Sequence, residues 1–412
     1  MKTSTSKRLR WNVAIWLAEG LFMTSTPGMA SGPILPDPKA EARHHPQIEE
    51  TANGIPLVNI TAPSSGGVSR NEYEMFNVPD KGAILNNSYT LSKTELAGYV
   101  PGNNNMAERP AKIIVNEVTG TGSTSMDGFL EVAGNRADVV IANPNGITVN
   151  GGGFINTGKA FLTTGKPVYD GEDHLQRFDI TGGDILIEGK GLGGKETESL
   201  AILSRAVKIN AGIWAEDLHI TTGANTVDAK TLEASAIEGK GGRPAFALDT
   251  AAIGGMYAGR ITLVGTEKGL GVNNSGTWSA EDNLTLDWNG DLKNSGTIYS
   301  KGNTDLRASR LENDKTIAAE RNLSAAAKEN IRNQGKLLAG ENMGIYAGKT
   351  LDNAGHAMES GNNLSIETGD AINNAAGTIK SGGSQQIKAG HTLINQYRRH
   401  TGGRWKYKHT NG

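Results

Sequence analysis

The sequence contains no cysteine, so disulfide frameworks, thiolate zinc sites and cysteine nucleophiles are all excluded. Aromatic residues make up only 5% of the 412 residues, too few for a compact aromatic core. The 41 Lys and Arg residues are balanced by 43 Asp and Glu residues, and the resulting net charge of −2 gives no basic field for binding nucleic acid. After residue 30 there is no run of about 18 apolar residues, so no transmembrane segment is predicted.

Glycine is abundant instead, with 55 residues scattered between short runs of Val, Ile, Leu and Thr. This pattern is typical of all-β proteins with frequent tight turns, such as a sandwich, a barrel or a β-helix. The first predicted strands lie at residues 55–60, 83–85, 112–118, 128–132 and 138–142.

The first 53 residues are predicted to precede the folded part. Basic residues lie before an apolar stretch at 11–23, and the small residues Gly28 and Ala30 suit a signal peptidase, so residues 1–30 are predicted to be a secretory signal peptide. Residues 31–53 are polar and contain proline, which predicts a disordered lead-in.

Three clusters of residues could suggest a metal-binding or phosphate-binding site, but none has the complete pattern that such a site requires. His44 and His45 lack a third ligand type at useful spacing, so a solvated linker is predicted. The run GKGLGGK at 189–195 has P-loop spacing, but Glu196 stands where a hydroxyl should meet magnesium, so a flexible hairpin loop is predicted. The acidic loop at 170–173 lacks the EF-hand pattern. The sequence therefore predicts no metal site and no cofactor.

The tetrapeptide Asn143-Pro144-Asn145-Gly146 lies between two β-branched runs, which predicts strand, turn, strand. Pro144 fixes φ near −65° as a type I turn requires, and Asn145 and Gly146 suit the two positions that follow. Taken alone, this is an ordinary surface turn.

The second half carries an internal repeat in which an apolar residue is followed two places later by Asn. The pairs are Val272/Asn274, Leu292/Asn294, Leu311/Asn313, Ile331/Asn333, Leu351/Asn353, Ile372/Asn374 and Leu393/Asn395. By subtraction, the apolar residues are 20, 19, 20, 20, 21 and 21 positions apart. A unit of this size cannot bury its own apolar side, so stacked β coils are predicted. The repeated Asn would then form a structural ladder of amides along the stack, serve as a turn residue that tolerates left-handed φ, or do both.

The repeat pattern stops after Gln396, and no capping coil is visible in the sequence. Basic and aromatic residues are interleaved in the last segment, a pattern that could bind nucleic acid or an anionic surface. A disordered tail is nevertheless the preferred prediction for 398–412. We expect the chain to end in the middle of a longer solenoid.

Several longer segments resemble a known family. They read GIPLVNITAPSSGGVSRNEYEMFNV, KIIVNEVTG, EVAGNRADVVIANPNGITVNGGGFINTGKAFLTTG and ALDTAAIGGMYAGRITLVGTEKGLGV. Over about residues 54–275 the chain resembles the two-partner secretion domain of filamentous haemagglutinins, haemolysins and contact-dependent inhibition proteins. The units after Val272 resemble the haemagglutinin repeats of the same exoproteins.

Two motifs carry this resemblance. Residues Asn143, Pro144, Asn145, Gly146 and Ile147 are similar to the family's Asn-Pro-Asn-Gly-Ile secretion motif. The second family motif, Asn-Pro-Asn-Leu, falls on Asn103, Asn104, Asn105 and Met106, where the proline and the leucine are both replaced. The resemblance therefore implies one intact and one degenerate secretion motif.

The resemblance implies a right-handed parallel β-helix with extra-helical β-hairpins, and it implies a partner. Such domains reach the periplasm behind a signal peptide and engage the periplasmic recognition domains of an outer-membrane β-barrel transporter. They cross the barrel unfolded and fold at the cell surface, where each added coil buries apolar surface and opposes return. The expected division is a signal peptide (1–30), a lead-in (31–53), a secretion domain (54–290), repeats (291–397, with the phase beginning near 272) and a tail (398–412).

The preferred hypothesis is a secreted, non-enzymatic exoprotein of the adhesin or filamentous haemagglutinin type. Regions beyond residue 412 would contact a host-cell or neighbouring-cell surface. One alternative is a haemolysin or contact-dependent growth inhibition toxin carrier that uses the same secretion domain. A second is a β-helical polysaccharide-active enzyme, which would need carboxylates converging on one face.

Overall fold

The computed structural model describes residues 34–106 and 109–395 and shows an all-β solenoid of about 13 turns. The strands of each coil pair in parallel with those of the next coil along three faces, here named A, B and C. The predicted signal peptide, 1–30, and the predicted tail, 398–412, lie outside the described residues. Within the described ranges, no helix is long and apolar enough to cross a membrane.

The strands of each face follow one another in chain order. Face A contains Pro56–Asn59, Ala83–Asn87, Phe129–Gly134, Gly152–Ile155, Leu192–Gly194, Thr277–Ala280, Thr297–Ser300, Thr316–Ala319, Lys336–Ala339, Ala357–Ser360 and Thr378–Ser381. Face B contains Val68–Met75, Ile113–Val118, Ala137–Ala142, Thr157–Thr163, Ser199–Ser204, Leu284–Trp288, Thr304–Ala308, Leu323–Ala327, Met343–Ala347, Leu364–Thr368 and Gln385–Ala389. Face C contains Thr124–Met126, Ile147–Val149, Asp184–Ile187, Ala206–Ile209, Phe246–Thr250, Gly271–Asn274, Leu292–Asn294, Leu311–Asn313, Ile331–Asn333, Leu351–Asp352, Ala371–Asn373 and Thr392–Ile394. Two long strands, Gly212–Thr222 and Gly255–Gly265, belong to face A at their start and to face B at their end.

The remaining elements lie outside the coils. At the N-terminal end, two short strands, Leu35–Pro36 and Gln47–Glu50, each pair antiparallel with a strand of the first coil. Ser92–Thr94 pairs with Gly98–Val100 in a hairpin. A four-stranded antiparallel sheet, here named the outer sheet, contains Lys166–Tyr169, Leu175–Ile180, Asn225–Asp228 and Ala234–Ala236. The two 3-10 helices span Ala42–His44 and Asn104–Met106. These elements include the extra-helical hairpins that the family resemblance implies.

Each strand alternates between the core and the surface because successive side chains point to opposite sides of a sheet. In Thr297–Ser300, Ile298 is completely buried, whereas Tyr299 faces outward. The parallel register then places Ile298 between Trp278 and Ile317 of the neighbouring coils. Apolar side chains therefore stack along the whole solenoid and form one continuous core.

Two buried tryptophans mark the coil where the repeats begin. The Trp278 Nε1 donates to Thr250 Oγ1 at 3.0 Å, and the Trp288 Nε1 donates to the Leu270 carbonyl at 2.8 Å. The Trp288 ring lies over Gly265, where a Cβ atom would overlap it. This junction packs as tightly as the rest of the core and joins the first coils and the repeats into one solenoid.

The outer sheet covers part of face B with a second apolar layer. Val140 and Phe161 point outward from face B, and Phe178 and Val227 of the outer sheet pack on them. The rings of Phe161 and Phe178 have centroids 5.9 Å apart. Apolar contacts on both sides explain why a face B strand beneath the outer sheet carries consecutive buried apolar residues, such as Val139, Val140 and Ile141.

The predicted disordered lead-in is wrong for the residues that the structure describes. Gln47–Glu50 pairs antiparallel with Pro56–Asn59, and Leu35–Pro36 pairs antiparallel with Val68–Met75. Ile34 is buried in the core. This segment forms an N-terminal cap because the first coil otherwise exposes an unpaired strand edge and the end of the apolar core.

The flexible hairpin loop predicted at 189–195 is also wrong in part. Leu192–Gly194 is a face A strand that pairs with Gly152–Ile155 and with Gly212–Thr222. A parallel strand needs only its backbone groups for pairing, so a glycine-rich segment can form one between two ordered coils.

Candidate functional site

The tetrapeptide Asn143-Pro144-Asn145-Gly146 forms the corner between a face B strand and a face C strand. The backbone N–H of Gly146 donates to the Asn143 carbonyl at 3.1 Å, which closes the turn. The Asn145 N–H donates to Asn143 Oδ1 at 2.9 Å, so the Asn143 side chain braces the same turn from inside. Asn143 is completely buried, whereas Pro144 and Asn145 are exposed.

The same two asparagines bind the preceding coil. The Asn143 Nδ2 donates to the Gly122 carbonyl at 2.9 Å and to Thr124 Oγ1 at 3.0 Å. The Asn145 Nδ2 donates to the Gly120 carbonyl at 2.8 Å. The motif therefore satisfies carbonyl groups of the neighbouring turn that would otherwise be left without a donor.

The following coil presses on this corner from the other side. Gly183 has a φ of +75°, and a Cβ atom there would lie 2.8 Å from the Pro144 carbonyl oxygen. Ile147, the last residue of the motif, is buried and pairs with Ile185 of that coil. Five consecutive residues of the motif are thus fitted between two coils.

The degenerate motif, Asn103-Asn104-Asn105-Met106, has the same bond pattern at another corner. The Met106 N–H donates to the Asn103 carbonyl at 3.1 Å, and the Asn105 N–H donates to Asn103 Oδ1 at 2.9 Å. The Nδ2 groups of Asn103 and Asn105 donate to the carbonyl of Ile60, at 2.9 and 3.1 Å. Asn103 and Met106 are buried, and Asn104, at the position of Pro144, is exposed.

The two motifs therefore share a geometry but do not form one site. The first lies between faces B and C, and the second lies between faces A and B. In both, the first and third residues make the bonds, and the second residue faces outward. The loss of proline in the degenerate motif leaves these bonds intact because proline contributes only its fixed φ.

The seven repeat asparagines stack along face C with their amides bonded in series. Each Nδ2 donates to the Oδ1 of the next asparagine, over distances of 2.8, 2.8, 2.8, 2.6, 2.7 and 3.0 Å along Asn274, Asn294, Asn313, Asn333, Asn353, Asn374 and Asn395. None of the seven has a positive φ. The structure thus places them in an amide ladder, and a left-handed turn conformation is not the reason for their recurrence.

A second ladder was missed by the sequence analysis. Its amides also bond from coil to coil, at 3.1, 2.8, 2.9 and 3.2 Å, along Asn283, Asn303, Asn322, Asn342 and Asn363. These asparagines are half-buried or exposed, whereas the first ladder is buried from Asn274 to Asn374. Their spacings, by subtraction 20, 19, 20 and 21, repeat with the same period and were the signal that could have found them.

Charged side chains meet where the N-terminal cap, face B and the outer sheet come together. One Glu72 oxygen lies 3.1 Å from His44 Nδ1 and 2.8 Å from Arg70 Nη2, and the same Arg70 nitrogen lies 3.3 Å from a Glu117 oxygen. The Arg70 guanidinium also lies 4.5 Å from the centre of the Tyr169 ring. His44 is therefore a buried member of an ionic cluster, and its interpretation as part of a solvated linker is wrong.

Burial dominates the protonation equilibria in this cluster. It raises the pKa of Glu117 and raises the pKa of Tyr169 well above its usual range. It also lowers the pKa of His44, and the adjacent Arg70 lowers it further. Among residues 34–106 and 109–395, no group of three or more His, Cys, Asp or Glu side chains is placed to hold a metal ion. The cluster thus joins three structural elements through paired charges.

The comparison with protein families decides the assignment. The family model of the TPS secretion domain matches residues 33–300, and the haemagglutinin repeat matches 299–355 and 318–396. The chain belongs to the TPS secretion domain family. The TPS match begins at residue 33 rather than at the predicted residue 54, in agreement with the ordered N-terminal cap.

Known relatives of this TPS domain include much longer bacterial proteins. A toxin CdiA from Yersinia pestis is 41% identical over 298 residues, which cover 67% of this chain and 9% of that protein. A 16S rRNA endonuclease CdiA from Enterobacter cloacae subsp. cloacae is 38% identical over 354 residues, 78% of this chain and 10% of that protein. The chain therefore spans about a tenth of the length of these relatives.

A solved structure agrees with this assignment. The crystal structure of a filamentous hemagglutinin secretion domain matches with a TM-score of 0.54 and 26% identity, and the match covers 86% of this chain and 100% of that one. The predicted fold class is confirmed. The TPS domain makes the chain a secreted or cell-surface exoprotein that is exported across the outer membrane, and it implies a cognate outer-membrane transporter.

Proposed function

We propose that the coils up to about residue 300 are a secretion address, which the periplasmic recognition domains of the cognate transporter bind before the chain folds. The observation that carries this proposal is the family match over 33–300 on an uninterrupted solenoid. The strand Gly255–Gly265 pairs directly with Thr277–Ala280 and Leu284–Trp288, so folding can pass from the address into the repeats without a break. Each new coil buries apolar side chains outside the cell and opposes backward movement of the chain.

The two secretion motifs act through the fold in this proposal. The first and third asparagines of each motif use their amides inside the protein, on Gly120, Gly122 and Thr124 in one case and on Ile60 in the other. Only the second position, Pro144 or Asn104, is exposed without being part of this bond pattern, and it differs between the motifs. A transporter that read the motifs by direct contact would meet different side chains at the two corners.

The complete exoprotein has two candidate classes. The structural match to a filamentous hemagglutinin secretion domain supports an adhesin-like fibre. The names of the relatives, toxin CdiA and 16S rRNA endonuclease CdiA, favour a toxin carrier whose toxic part lies outside the matched tenth. In both classes we assign an addressing and fibre-forming role, and no catalysis, to residues 34–395.

A binding experiment tests the address. The chain without its predicted signal peptide is diluted from urea onto the immobilised periplasmic domains of its transporter, alongside the Asn143→Ala and Pro144→Ala variants. We expect the wild-type chain to be captured, and we expect Pro144→Ala to bind within about twofold of it, a difference of about 0.4 kcal/mol, because in this proposal the transporter does not read Pro144 itself. Asn143→Ala should bind when unfolded but fold more slowly, as measured by tryptophan fluorescence.

Two results would contradict the proposal. Failure of the unfolded wild-type chain to bind would remove the address itself. Loss of binding in Pro144→Ala, with unchanged folding, would show instead that the transporter reads Pro144 directly in the unfolded chain.

A further inference from the structure

Face A carries a line of aromatic side chains on its outer surface, here named the aromatic row: Phe129, Trp214, Tyr257 and Tyr299. The strand register places them in a single file across the coils. The file runs Phe129, Gly153, Gly193, Trp214, Tyr257, Ser279, Tyr299, Ala318, Leu338, Glu359 and Lys380. With about 4.8 Å between paired strands, the six steps from Phe129 to Tyr299 span about 29 Å.

Glycines hold the rings of the row close to the sheet. The Trp214 ring lies over Gly212 and the Tyr257 ring lies over Gly255, each two residues earlier on its own strand. The two rings are nearly parallel, with an interplanar angle of 17° and centroids 6.2 Å apart. Phe129 lies against Gly153 in the same way. Three of the four rings in the row therefore lie against backbone positions that have no side chain.

The row remains open to solvent. Phe129 is 43% exposed and Tyr257 is 39% exposed, and Trp214 and Tyr299 are half-buried. Aromatic rings that serve only to cover strand glycines would not need to share one file across separate coils. The alignment thus points to an extended ligand that runs along the solenoid.

A groove of about 550 Å³ continues the row beyond Tyr299. Its lining includes Ala318, Leu338 and Gly340 together with Tyr299, Glu320 and Glu359. The Tyr299 hydroxyl donates to Glu320, which fixes the ring at the entrance. An aromatic surface and a groove with hydrogen-bonding carboxylates thus lie in one line.

The net negative charge of the groove favours an uncharged ligand over a polyanion. Glu320 and Glu359 face the groove with Lys380, so a polyanion would meet a net negative charge there. Sugar rings present a face of polarised C–H bonds, which packs against the electron-rich face of an aromatic ring, and a rim of hydroxyls, which donate to carboxylates. We propose that face A binds a linear, uncharged polysaccharide along the aromatic row and its groove. This inference depends on the folded solenoid and not on how the chain is exported.

Titration of the folded chain with uncharged hexasaccharides tests this proposal. The probes are the β-1,4-linked hexamers of glucose and of mannose, and a sulfated dextran is the charged comparison. Calorimetry and tryptophan fluorescence measure the binding of each probe. We expect at least one hexamer to bind and the sulfated dextran to bind more weakly or not at all. Trp214→Ala and Tyr257→Ala should each weaken binding about tenfold, which corresponds to about 1.4 kcal/mol.

The matched control is Tyr346→Ala, because Tyr346 is also exposed on a repeat strand but lies on face B. It should leave binding unchanged. If Trp214→Ala fails to fold, Trp214→Phe keeps a ring in place and should retain binding within about threefold of wild type. Absence of binding to both hexamers, equal loss in Tyr346→Ala, or tighter binding of sulfated dextran would overturn the proposal.

Discussion

Asn313→Ala tests whether the face C ladder stabilises the solenoid. Asn313 accepts from the Asn294 amide and donates to the Asn333 oxygen, each at 2.8 Å, and it also donates to the Lys336 carbonyl at 3.1 Å. The substitution removes these buried bonds and leaves a small cavity, although the neighbouring amides keep weaker contacts with Thr316 and Gly335. At about 0.5 to 1.5 kcal/mol for each of the three lost bonds, the free energy of unfolding should fall by about 1.5–4.5 kcal/mol.

Asn322→Ala is the matched control in the second ladder. Asn322 also bonds to asparagines on both sides, at 2.8 and 2.9 Å, but it is only partly buried, so water can replace its bonds. We expect a cost of about 1 kcal/mol or less. Urea unfolding followed by tryptophan fluorescence gives the difference, and hydrogen exchange localises it to the coils around Asn313. Equal costs for the two variants would refute the assignment of a special stabilising role to the buried ladder.

Two other features give separate predictions. Gly265→Ala should destabilise the chain by about 1–3 kcal/mol because its new methyl group overlaps the Trp288 ring. Gly344→Ala is the control, since Gly344 has open space around it, and it should change stability by less than about 0.5 kcal/mol. Thermal unfolding of the two variants measures the difference. Burial lowers the pKa of His219 to about 4. The His219 ring therefore takes up a proton near pH 6.5 in the unfolded chain but only near pH 4 in the folded chain. Its contribution to stability is complete above pH 6.5 and is lost as the pH falls toward 4. The free energy of unfolding should fall by about 2 kcal/mol between pH 7 and 5 for this reason. NMR titration of the ring checks the pKa, and a value near 6.5 would contradict the prediction.

The repeats could be predicted from the sequence because one period controls every level of their structure. The apolar residue of each pair, such as Leu311, fills the core, and Asn313 two places later points to the same side of the strand, where it meets its equivalents. The second ladder was missed because Asn303 and its equivalents precede the strands and no fixed apolar residue stands two places before them. The second ladder therefore has the same period as the first but lacks the pattern of an apolar residue followed two places later by Asn.

The secretion domain was less predictable because contacts between distant segments decide its details. The cap residues are polar enough to suggest disorder, yet His44 is buried through its pairing with Glu72, which no local pattern reveals. Likewise, Asn103 keeps its role without the motif's proline because its bonds reach Ile60 on the adjacent coil and Asn86 on its own coil. Sequence identifies such residues as unusual, and only the stacked coils show what they bind.

The most direct test of the central claim is the amount of chain released by cells that do or do not make the cognate transporter. Full-length chain is expressed at equal levels in both strains, and the culture medium and the intact cell surface are assayed for it with protease accessibility. The assignment as a secretion address predicts release or surface exposure only when the transporter is present, with retention in the periplasm when it is absent. Equal release from the two strains would contradict it.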